Sequence, residues 1–598
     1  MTFAVHLLGR PRVEHAGGSP YRFRSRKSWA VLAYLILAER PPTRTQLASL
    51  LFAEADDPLR ALRWSLTEIR RCLGIDGTLD GDPLVLRLPP GAVVDVPVLT
   101  HGSWTAAVEL PGLGADLLDG LSIQAAPAFE SWLLSERRRI AAAAEAILHE
   151  AALGTLSRDD LDGARAYAVR ATAMSPLDEN HQALLIRLYR LAGDYDAAQK
   201  QYAACVELFD RELGVTPGIA VEEALRAVRR ERLTVTDDAS IRAVVEAGAA
   251  AVAAGATGAG VGSLRAAVRL ADDAGAGRLR VDSRLRLAEA LIHSLGGLDE
   301  EGVATLHDVD RIALAADDRG SVARARAELG YVDFLRGRYD RAEVWLTDAL
   351  AFAHGSTPVT ARATTYLGSV ASDRADYGRA VDLLERATAQ ARAAGETRTE
   401  AYGLSMLGRV SLLRGDLEPA AQRLDASIAR AEQGNWLAFL PWPQALRGEA
   451  HLAAGDPAGA AGALEQAFAR ACQLGDPCWE GMSARGLALV AEATGDPGRA
   501  FAILVDARAR SKRLADAYVW LEAHILDALC ALGRRHGHPQ TRQWNDTMRR
   551  IASRAGMREL TVRSLLHGAA LGDEGDGAAA ASLAAEIDSP ALKLLLAR

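Results

Sequence analysis

The sequence predicts a predominantly all-α protein of 598 residues, an N-terminal winged helix-turn-helix with small β-sheets followed by a tetratricopeptide-type superhelix of helical hairpins. Three observations carry that prediction. Alanine is abundant and aromatics are only 5% of the chain, which suits close-packed helices better than sandwiches. A small residue followed twelve positions later by alanine recurs along the C-terminal half. Ahead of these repeats, short alternating segments bracket three helical ones. At this length a single core is not expected, so the chain is read as residues 1–100, a winged helix-turn-helix; 107–232, a helical domain; and 240–598, a repeat array.

Thr2–Leu8 alternates and stops at Gly9-Arg10-Pro11, as a short strand does, with Arg12–His15 and Tyr21–Arg24 as partners across a Gly17-Gly18 turn. A helix is predicted from about Ser28 to Ala38. Thr43-Arg44-Thr45-Gln46 has capping-box spacing and opens a second helix through Leu47, Leu50 and Leu51. The third helix runs from Pro58 to Leu73. Leu62, Leu66, Ile69 and Leu73 recur at steps of four, three and four, so they share an inward face. A strand over Leu84–Leu88 then pairs back near Thr78 around Asp80-Gly81-Asp82-Pro83.

Opposite its apolar stripe, the third helix carries Arg60, Arg63, Thr67, Arg70 and Arg71. Guanidinium groups fork onto guanine edges or phosphates, so this row on a short helix suits reading of double-stranded DNA; a basic face that merely meets water is the plainer alternative. Arg60, Arg63 and Thr67 are assigned to base edges. Trp64 either meets a thymine methyl or sugar, or packs against the second helix. Arg70, Arg71, Arg44 and the group Arg24, Arg26 and Lys27 are placed for phosphates, near helix ends. The Asp80-Gly81-Asp82 tip is acidic, which leaves the wing Arg87 for backbone contact.

Charge is uneven. Residues 1–100 hold 13 Lys+Arg against 10 Asp+Glu, and the remainder 56 against 67, within a net charge of -8. A small basic head on an acidic body fits a nucleic-acid module. Five scattered cysteines form no CxxC pair, and His536-Gly537-His538 lacks a third ligand and reads as a polar loop, so no metal is expected. The absence of a G-x-S-x-G elbow and of HExxH argues against an enzyme. Without a visible signal peptide or an apolar run of about 18 residues, a cytoplasmic, nucleoid-associated protein with no membrane partner is expected.

The repeats pair Gly330 with Ala342, Gly368 with Ala380, Gly408 with Ala420, Gly448 with Ala460 and Ala488 with Ala500, spaced by 38, 40, 40 and 40 residues; Gly568 and Ala580 return on the same register. Antiparallel helices approach closely only where side chains are small, so these positions are expected at crossings, with Leu346, Leu384 and Leu424 filling the next layer. An earlier pair of turns, Asp160–Ala164 and Gly193–Ala198, is 34 residues apart, the tetratricopeptide period. The cluster Trp436, Phe439 and Trp442 is either an effector or peptide contact on the concave face or core at a repeat junction.

Phe129–Ile140, Met174–His181, Leu188–Asp194 and Glu212–Pro217 resemble the bacterial transcriptional activator domain, which follows an OmpR-type winged helix in the actinobacterial antibiotic regulatory proteins and their larger relatives. Phe3–Gly9, Arg24–Leu37, Thr45–Phe52 and Leu62–Leu73 are similar to that winged helix, in the same order. The resemblance covers roughly residues 1–232. It implies a transcriptional activator acting at direct-repeat sites near promoters, with residues 107–232 serving dimerisation or contact with RNA polymerase. Large relatives often add a nucleotide-binding domain. Here the four lysines (Lys27, Lys200, Lys512, Lys593) all lack a preceding glycine, so no Walker A motif exists and no cofactor is expected. The competing function is an interaction scaffold or sensor, in which the array receives a peptide, protein or small molecule and the winged helix contacts protein.

Overall fold

The computed structural model describes residues 3–597 except 16–20, 22, 39–40, 75–76, 124–125, 157–159, 226–237, 254–256, 296–298, 354, 435 and 514–517. It is mostly α-helical, with a few short strands confined to the N-terminal region. Two compact units divide it: residues 1–147 with 574–579, and residues 148–573 with 580–598.

In the first unit, β1 (Ala4–His6) pairs antiparallel with β2 (Arg12–Glu14), Val5 opposite Val13. The Gly17-Gly18 turn lies outside the described residues. Among the described residues of the expected Tyr21–Arg24 strand, Tyr21 forms an isolated bridge to Val13, and Phe23 and Arg24 lie outside any strand. The reason is local: the Arg24 N–H donates to Glu68 Oε1 at 2.7 Å, and Ser25 caps the helix that follows, so the chain leaves the sheet there.

Three helices follow. They are α1 (Arg26–Leu37), α2 (Arg44–Phe52), opened by the Thr43–Gln46 capping box, and α3 (Pro58–Leu73), capped by Asp57 with Pro58 in its first turn. Strands β3 (Thr78–Asp80) and β4 (Val85–Arg87) form the hairpin, Leu79 opposite Leu86.

A strand that sequence patterning missed, β5 (Val93–Val94), pairs parallel with β1 and completes a three-stranded sheet of order β2-β1-β5. Two residues are too few for a period to register. Asp95 secures the pairing: its carboxylate accepts the N–H groups of Leu7 at 2.8 Å and Leu8 at 2.8 Å, past the end of β1. Burial pushes this carboxyl up, while those N–H groups pull it back.

The second unit is a stack of antiparallel helix pairs. Asp194 caps Tyr195–Leu213 by accepting the Ala197 N–H, and Asp160 caps Leu161–Met174 through the Gly163 N–H, so each predicted tetratricopeptide turn starts a helix. Arg319–Leu335 pairs with Tyr339–Ala353, Thr357–Asp373 with Tyr377–Ala393, Thr397–Arg414 with Leu417–Gln433, Pro441–Ala453 with Pro457–Leu474, and Pro477–Ala493 with Pro497–Ser511.

The small residues sit at the crossings. A Cβ added at Gly330, Gly368 or Gly408 would lie 2.6 Å from Cγ of Leu346, Leu384 or Leu424 respectively, and Ala342, Ala380, Ala420, Ala460 and Ala500 are fully buried. The glycines here supply room rather than backbone freedom, and even one methyl group would force the helices apart.

Non-neighbouring repeats also touch within this unit. The Tyr377 hydroxyl donates to Glu559 at 2.5 Å, Arg558 Nε donates to the Arg374 carbonyl at 2.8 Å, and the Tyr518 hydroxyl donates to Asp373 at 2.8 Å. Arg409 is fully buried, paired with Asp373, donating to Tyr518 at 2.6 Å and Ser372 at 2.8 Å, with its guanidinium 4.4 Å from the Trp520 ring centre. Among the described residues no helix is long and apolar enough to cross a membrane.

Candidate nucleic-acid interface

The inward stripe of α3, Leu62, Leu66, Ile69 and Leu73, is at most 3% exposed and anchors the helix under α1 and α2. Burying four such side chains contributes about 1.5–3 kcal/mol each, enough to fix which face looks out. On that outer face Arg60, Arg63, Thr67 and Arg71 are exposed, and Trp64 is 52% exposed. The Thr67 hydroxyl donates to the Arg63 carbonyl at 2.8 Å, so its oxygen is left to accept.

Sequence reasoning missed Glu68, an acid on the buried side of α3. By accepting the Arg24 N–H it fixes the entry to α1 against α3. An acid one turn from Ser65 and Cys72 inside an apolar stripe was the available signal. Burial, with Glu68 adding to it, pushes the Cys72 thiol up to about 12, so it stays protonated.

The predicted phosphate ligands separate into two kinds. Arg24, Arg26, Arg71 and Arg87 are exposed, Arg87 standing on β4 opposite Thr78. Arg70 and Arg44 are half-buried and partly committed to the hairpin: Arg70 Nε donates to the Leu79 carbonyl at 2.9 Å, and Arg44 Nε to the Gly81 carbonyl at 3.2 Å. Lys27 holds its ammonium 4.8 Å from the Phe52 ring centre. Among the described residues none of these cations is ion-paired with an acid.

The acidic wing tip has a structural explanation. Asp82 accepts the Arg44 N–H at 2.8 Å, at the positive end of α2, where a carboxylate is favoured. The hairpin is thereby fastened to both α2 and α3.

The aromatic cluster in the array is mostly interior. Phe439 and Trp442 are each 2% exposed, so of the two alternatives these rings follow core packing rather than effector contact: both apolar rings lie in the core of the array. Trp436 is half-buried, stacked on Phe439 at 4.2 Å with Arg398 5.7 Å from its ring centre. His538 is stacked on Trp544 at 4.7 Å, and among the described residues no cluster of potential ligands could hold a metal ion.

Residues 97–229 match the family model of the bacterial transcriptional activator domain. That stretch of the chain is therefore a bacterial transcriptional activator domain. The matched stretch begins just after β5, the last strand of the N-terminal sheet. No curated protein matches the chain. Among solved structures it is similar to Mycobacterium tuberculosis EmbR in complex with a low-affinity phosphopeptide, at 19% identity and a TM-score of 0.29 over 37% of this chain; it spans 64% of the EmbR chain. It is also similar to a Rap protein complexed with competence and sporulation factor, at 12% identity and a TM-score of 0.42, covering 60% of this chain and 99% of the other. A third is aspartyl phosphate phosphatase F from Bacillus subtilis, at 11% identity and a TM-score of 0.36, covering 68% and 92%.

Proposed function

We propose that this regulator binds double-stranded promoter DNA through the outer face of α3 and activates transcription there, as a cytoplasmic, nucleoid-associated protein and not as an enzyme. Arg60, Arg63 and Thr67 meet base edges in the major groove, with Trp64 beside them on a sugar or thymine methyl. Arg71, Arg24, Arg26 and Arg87 hold phosphates, and Arg44, Arg70 and Lys27 reinforce them from the hairpin side. Residues 97–229 contact RNA polymerase or a second copy of the chain, and the array receives a peptide, protein or small-molecule effector.

One observation carries the reading: Arg60, Arg63 and Arg71 of α3 face solvent without an acidic partner among the described residues, while the opposite face of the same helix is buried. Of the two acids at the hairpin tip, Asp82 is occupied at α2.

The test is genome-wide DNA capture with the full chain, beside the Arg60→Ala/Arg63→Ala variant. Sharp sites that vanish in the variant are expected, with wild-type binding falling by about 0.9 in log–log slope against salt for each phosphate neutralised. Promoter control that survives the double substitution would replace this reading with a scaffold whose winged helix contacts protein.

A further inference from the structure

Within the second unit, the helices Val519–His536, Arg558–Ala570 and Pro590–Leu596 border a cleft of about 750 Å³. Its lining is partly aliphatic, Leu566, Leu571, Leu595 and Leu596, and partly cationic, with Arg534, Arg535 and Arg563 against the single acid Asp527. These cations differ in their commitments. Arg563 donates to Glu559 at 2.8 Å and to Asp527 at 3.4 Å, and Arg535 donates to Glu492 at 2.7 Å. Arg534 meets no carboxylate among the described residues; its Nη1 lies 3.1 Å from His567 Nδ1.

A guanidinium only donates, so His567 Nδ1 must be the bare nitrogen of the ring and Nε2–H must donate to Asp527, 2.9 Å away. Asp527 is already shared between His567 and Arg563, and the charge on Arg534 stays uncompensated at the edge of a volume that suits a small molecule.

We propose that this cleft binds a molecule whose apolar tail ends in a carboxylate, the carboxylate forked on Arg534 and the tail laid along Leu566, Leu571, Leu595 and Leu596. A planar guanidinium takes a carboxylate through two parallel charge-assisted bonds, and the aliphatic wall supplies the burial that a free anion would not use. The proposal rests on the reading of the array as the receiving part of the regulator, and it moves the receiving site away from Trp436, Phe439 and Trp442. Its test needs no DNA, so its failure leaves the DNA reading in place, and loss of DNA binding leaves this site standing.

The experiment is calorimetric titration of the full chain with sodium octanoate, and separately with the peptide acetyl-Ala-Leu-Leu-Leu as its free acid. Saturable one-to-one binding of octanoate supports a free small acid, and of the peptide a chain terminus. In either case 1-octanol or the peptide amide binds at least tenfold more weakly, and Arg534→Gln costs at least tenfold while leaving the unliganded melting temperature unchanged. Leu595→Ser, in the aliphatic part of the lining and already 39% exposed, weakens binding as well and serves if the arginine variant fails to fold. Absence of saturable binding by both acids, or affinity unchanged by both substitutions, would overturn the proposal.

Discussion

Arginine serves opposite ends in the two units. On α3, Arg60, Arg63 and Arg71 are exposed and lack an acidic partner among the described residues. In the array, Arg409, Arg341 and Arg485 are buried against Asp373, Glu150 and Glu449. A desolvated guanidinium can persist only when a carboxylate and further acceptors surround it, so the buried set is committed to the fold. Among the described residues the solvated set has no such carboxylate. Net charge hides this difference, because the paired arginines of the acidic body cancel locally.

The largest expected effect comes from breaking the buried kind. Arg409→Ala strands Asp373, which Tyr339 and Tyr518 alone cannot satisfy, and should cost about 3–5 kcal/mol in chemical denaturation. A loss below about 1 kcal/mol would mean that the two sets are not distinct. Next, Arg63→Ala should lower promoter affinity by about 1–3 kcal/mol, read by fluorescence anisotropy, with no change in the thermal midpoint.

The third prediction uses pH. Burial, reinforced by Arg485, brings His524 down to about 4, whereas in the unfolded chain it titrates near 6.5. The unfolded state therefore binds the proton first, and the stability that His524 provides is full above pH 6.5 and lost as pH falls towards 4. His524→Gln should flatten this slope by up to about 1.4 kcal/mol per pH unit across that window. Denaturation curves at pH 7, 5.5 and 4.5 decide it; an unaltered slope would place a charged His524 in the fold. The smallest effect belongs to Asp82→Ala, which removes the acceptor at the start of α2 and should cost about 1 kcal/mol in thermal stability. If affinity for DNA then rises at low salt, the tip lies near phosphate.

Features written within a few turns of chain were legible in the sequence. The Thr43–Gln46 box, the outward row of α3 and the Gly-to-Ala step of twelve each depend on residues that determine their own geometry. What escaped were the tertiary consequences. Strand β5 is two residues long and exists because a partner 89 positions away, Ala4 opposite Val93, receives it. Asp82 looked like an obstacle to phosphate until the hairpin brought it to Arg44, 38 residues earlier. Local density marked Trp436, Phe439 and Trp442 as a group, but nothing local distinguishes an aromatic that reaches solvent from two that lie beneath neighbouring helices.

The contacts between distant repeats change what kind of solenoid this is. An array in which each repeat touches only its neighbours can fray from an end, losing one hairpin at a time. Here Tyr377 is tied to Glu559, 182 residues on, and Asp373 to Tyr518, 145 residues on. Removing the last helices would withdraw partners from the middle of the stack, so the unit should melt in one cooperative transition, and a signal received near its C-terminal end would be felt at the repeats around residue 375 without passing through those between.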